Sequence, residues 1–69
     1  MSDGPRRISA ILIPRAQEAL DQAARRTGLT TTDIVNRALQ AYAFLEEEMT
    51  TGATVLVRRD GVTEEVRFL

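Results

Sequence analysis

From the N-terminus, apolar and polar positions first alternate and then shift to helical spacing. In "RRISAILIP", residues 6–14, Ile8, Ala10 and Leu12 fall on one side; Arg7, Ser9, Ile11 and Ile13 fall on the other. That is the period of two of a β-strand. Pro14 ends the run, because it has no amide donor for a ladder and suits the first turn of a helix. The pattern predicts a strand over 6–13, preceded by a loose arm over 1–5 that has nothing to bury.

The next segment, "RAQEALDQAARRTG", sets Ala16, Ala19, Leu20, Ala23 and Ala24 on one helical stripe and is built from good helix formers. It predicts a helix over 15–27. Gly28 is placed for the left-handed position that ends many helices, and Arg25 and Arg26 complement the negative end of the dipole. A second helix is predicted over 31–48, with Thr30 as N-cap and Asp33 in a capping-box variant. Its stripe is Ile34, Val35, Ala38, Leu39, Tyr42 and Leu45, with Phe44 and Met49 extending the apolar face. Glu46, Glu47 and Glu48 oppose the dipole at its C-terminus, so fraying is expected there.

"TTG" at 50–52 breaks the helix, and residues 52–69 read as a β-hairpin turning at Asp60-Gly61. That turn sets Arg59 opposite Val62, Val57 opposite Glu64, Val55 opposite Val66 and Ala53 opposite Phe68. Val55, Val57, Val62, Val66 and Phe68 then share one face; Arg58, Thr63, Glu65 and Arg67 share the other with Leu56. The apolar face must pack on something: the chain's own helices, a second copy, or another protein.

A lone strand before two amphipathic helices leaves both of its edges unpaired. Pairing with the same strand of a second chain about a two-fold axis satisfies one edge and completes a core. Ile8, Ala10 and Leu12 would then cover the helices, while Arg7, Ser9 and Ile11 face outward. Chain length points the same way, since 69 residues make one marginal domain. With no Cys and no His, disulfides and the common zinc sites are excluded as stabilisers, which leaves oligomerisation.

The net charge is −1, so no global basic signature marks a nucleic-acid binder. The distribution is more telling: residues 1–37 sum to +2 and residues 38–69 to −3, so only the N-terminal half suits an anion. A catalytic site is not expected, because the chain lacks His, Cys, a glycine-rich phosphate loop and a spaced carboxylate pair. No cofactor or metal is implied. No apolar run approaches the roughly 20 residues of a membrane span, and "MSDGPRR" has no apolar core of a signal peptide; the expectation is a cytoplasmic protein that does not engage a membrane.

The stretches "RRISAILIP", "ALDQAARRTG" and "TTTDIVNRALQAYAFL", in this order and spacing, resemble the ribbon-helix-helix family, which includes the methionine and phage Arc repressors. The resemblance spans Arg6 to about Glu47. The run "TG-x-TTTD-x-VNRAL-x-x-Y" is similar to small actinobacterial and phage members that carry a short C-terminal extension. It implies a mainly α fold with short β: a ribbon-helix-helix homodimer over 6–49, with an intersubunit antiparallel ribbon, plus the C-terminal hairpin. Its dimer core would be Ile8, Ala10, Leu12, Leu20, Ile34, Val35, Ala38, Leu39 and Tyr42.

The resemblance also implies a transcriptional repressor or autoregulator that binds double-stranded DNA. Family members insert the ribbon into the major groove and aim the second helix's N-terminus at a phosphate. By position, Arg7, Ser9 and Ile11 would contact bases; Arg6, Arg15, Thr30, Thr31 and Thr32 would contact phosphates. Ile11 departs from the polar residue usual there and has no donor or acceptor to read a base edge. The plain alternative is a solvated ribbon face for Arg7 and Ser9 and a simple helix cap for "TTTD". A rival function is an interaction module, antitoxin-like, whose hairpin face Val55, Val57, Val62, Val66 and Phe68 binds a protein partner such as a toxin.

Overall fold

A computed structural model describes residues 4–67 of the chain. It contains two helices and a two-stranded antiparallel sheet, in the order α1 (Pro14–Thr27), α2 (Thr31–Thr50), β1 (Val55–Arg59) and β2 (Val62–Val66). The fold is mainly α with short β. Of the expected arm, residues 1–3 lie outside the described residues, as does Phe68 of the expected hairpin face.

α1 opens at Pro14, with the Gln17 amide donating to the Ile13 carbonyl at 3.0 Å. It closes at Gly28, whose φ of 72° is the left-handed conformation that a side chain resists. The Gly28 amide donates to the Ala24 carbonyl at 2.9 Å, and Arg25 and Arg26 occupy the last turn as expected. Only three residues separate the helices. Thr27 helps fix that link: its Oγ1 donates to the Ala23 carbonyl and accepts from the Leu29 amide.

Thr30 caps α2, its Oγ1 accepting from the Asp33 amide at 3.1 Å. α2 continues to Thr50, two residues past the expected end at 48. Thr51 Oγ1 donates to the carbonyls of Glu47 and Glu48, and Thr50 Oγ1 donates to Glu46 Oε2 at 2.6 Å. The carbonyls of Glu47 and Glu48 also accept the amides of Thr51 and Ala53, so the last turn is tied by backbone and hydroxyl together.

The hairpin turns at Asp60 and Gly61, with φ of 51° and 81°, the pair of positive values that a two-residue turn with the right twist demands. Its register pairs Val55 with Val66, Val57 with Glu64 and Arg59 with Val62, as the alternation predicts. Arg58 Nε donates to Thr63 Oγ1 across the strands at 3.1 Å. Val55 and Val66, at the root, are half-buried beside Met49. Val57 and Val62, toward the turn, stay exposed, and neither strand packs extensively on a helix.

The strand expected over 6–13 is not formed in the single chain. A strand exists by its ladder, and this chain presents no neighbouring strand to residues 6–13. The helices, too, enclose nothing. Among the described residues none is buried. Leu12, Ala16, Ala19, Leu20, Ala23, Ile34, Val35 and Ala38 instead line an open apolar groove between α1 and α2, about 360 Å³ in volume. The radius of gyration is 14.8 Å, against about 11 Å for a compact domain of this length. The groove is where a core would close.

Candidate nucleic-acid interface

The N-terminal segment runs past the start of α2. There Pro5, Arg6, Arg7 and Ile8 face Thr31, Thr32, Val35 and Asn36 across an open cleft of about 600 Å³. Three sources of positive potential converge on it. Two are guanidinium groups that form no ion pair among the described residues. The third is the helix N-terminus, where the amides of Thr31 and Thr32 donate to nothing among the described residues. Unpaired first-turn amides and the positive dipole end favour an anion. Asp33, in the same turn, opposes them; its backbone amide is taken up by the Thr30 cap.

The other sequence-derived residues sit elsewhere. Thr30 is the cap itself, with its hydroxyl engaged, and Arg15 is in the first turn of α1, outside the cleft lining. Arg7 was expected to share a ribbon face with Ser9 and Ile11. In the single chain it lines the cleft next to Arg6 and Ile8, while Ser9 and Ile11 lie outside. Without a ladder, nothing holds residues 6–8 to strict alternation. Further along, alternation returns: Leu12 lines the interhelical groove and Ile11 points fully outward at 97% exposure.

The expected core residues divide similarly. Leu12, Leu20, Ile34, Val35 and Ala38 line the groove. Ile8 belongs to the cleft, and Ala10, Leu39 and Tyr42 are exposed. Sequence reasoning did not assign Asn36 to the site. It stands four residues after Thr32, hence on the same helical face, and its Nδ2 donates to the Thr32 carbonyl at 2.7 Å. That spacing was the signal available for it.

Among the described residues no cluster of carboxylate, His or Cys side chains is arranged to hold a metal ion, and no helix is long and apolar enough to cross a membrane. No protein-family model, curated protein or solved structure matches this chain.

Proposed function

We propose that the chain is one half of a ribbon-helix-helix homodimer that binds double-stranded DNA and represses or autoregulates transcription. The observation that carries this is the cleft in which Arg6 and Arg7 face the α2 N-terminus at Thr31 and Thr32. In the DNA-binding dimer a phosphate seated there would meet the Arg6 guanidinium and the free helical amides together, contacts that position a protein on DNA. Support for the dimer comes from the open apolar groove and the unpaired segment 6–13. A second copy pairing along 6–13 gives each strand a ladder and lays its apolar side over the helices. Arg7 would then turn from the cleft to the outward face of the ribbon, beside Ser9 and Ile11.

The test is a fluorescence-anisotropy titration of the DNA upstream of the chain's own gene, with unrelated competitor present. Binding is expected at low salt and should weaken steeply as salt rises, because each phosphate contact releases counterions. Binding no tighter than to competitor defeats the reading.

The hairpin favours an added role beside DNA binding. Val57 and Val62 are exposed on an element that the helices do not cover, as a protein-contact module requires.

A further inference from the structure

The two outer edges of the hairpin differ. Arg59 and Val62 flank a two-residue turn and therefore exchange backbone bonds, as do Val57 with Glu64 and Val55 with Val66. The backbone groups of Leu56 and Arg58 consequently point out from β1, and those of Thr63 and Glu65 point out from β2. No backbone bond among the described residues reaches either edge.

Side chains decide which edge can meet its own copy. Two-fold antiparallel pairing of β2 about its middle residue sets Glu64 against Glu64, a destabilising like-charge pair. The same operation on β1 sets Val57 against Val57, Leu56 against Arg58 and Val55 against Arg59, so no like charges stand directly opposite, and the two copies' Arg58 are diagonal neighbours only. Leu56 and Arg58, whose backbone groups already point outward, become the hydrogen-bonded pairs. Ladder parity and side-chain pattern thus agree. In the resulting sheet the Arg58 and Arg59 side chains lie in the central strands, flanked by Glu64 and Glu65 of the outer ones. The valines at 55, 57, 62 and 66 of both copies share one face, and Leu56, 58% exposed in the single chain, gains a neighbour.

We infer that β1 is a self-pairing edge, joining two copies antiparallel about Val57 into a four-stranded sheet. This interface is separate from the interhelical groove and from residues 6–13, and does not depend on DNA binding. Pairing β1 with a second copy's β2 would match Arg with Glu, but it leaves an open edge at each end and does not close.

The chain has no cysteine, so a single introduced thiol reports its own surroundings. In the purified full chain, V57C is expected to form a disulfide-linked pair under mild oxidation roughly tenfold faster than V62C, because facing non-hydrogen-bonded positions lie within disulfide reach. Exposure alone predicts the reverse order, since Val62 is 60% and Val57 45% exposed. Adding L56P to V57C removes an outward donor without breaking the β1–β2 ladder, and should lower the rate to that of V62C. A second measurement stands apart from the thiols: at high protein concentration the unmodified chain should sediment at no less than twice the mass of L56P. Equal rates for V57C and V62C, or an L56P chain of unchanged mass, overturn the proposal. Those are the results of a hairpin left open for a different protein or paired head to tail.

Discussion

The guanidinium of Arg7 can donate two bonds to guanine O6 and N7, whereas Ile11 offers only apolar contact, to a thymine methyl for instance. Arg7→Ala should therefore cost about 1–3 kcal/mol of discrimination between the upstream DNA and competitor, read as the ratio of the two dissociation constants, with the assembly mass unchanged. Arg6→Ala should act differently, weakening binding to all sequences and lowering the salt slope by about two, one for each copy in a dimer. A uniform loss for both variants would mean that Arg7 positions without reading. Residues that shape the backbone were legible from type and place: Thr30 as a cap, Gly28 at a positive φ, Asp60-Gly61 as the turn. Thr30→Ala should lower stability by about 1 kcal/mol, seen as a lower thermal midpoint. The grouping of Arg7 with Arg6 and Thr32 was not legible, because it depends on where an unladdered segment comes to rest against α2.

At the level of elements, helical spacing and strand alternation located α1, α2 and the hairpin, including its register. The end of α2 was missed. Glu46, Glu47 and Glu48 oppose the helix dipole, but the Thr50 and Thr51 hydroxyls add side-chain bonds across the final turn. The 6–13 strand was read from the same alternation that located β1 and β2, yet it has no ladder here, since pattern describes a side chain's preference and a strand also needs a partner. The hairpin packs little on the helices, so a chain truncated after Gly52, which retains the α2 cap, should keep its helical circular dichroism and thermal midpoint. A large loss of helicity would instead make the hairpin part of the helical core.

For the whole molecule, the absence of any buried side chain among the described residues is the dominant physical fact. Ordering each residue costs about 1–2 kcal/mol of backbone entropy, and a helical pair with an open apolar groove has little burial to offset it. Helicity should consequently fall on dilution, as association is lost. Leu20→Asp, which puts a charge into the groove, should abolish association through the groove and most of the helical signal. A chain that keeps full helicity as a monomer would refute that dependence. Sedimentation velocity of the chain mixed with labelled upstream DNA at low salt reads protein mass and DNA occupancy together. The account predicts that DNA is bound by two chains, or a multiple of two, and released as salt rises. Free DNA sedimenting unchanged, or DNA carrying a single chain, would contradict it.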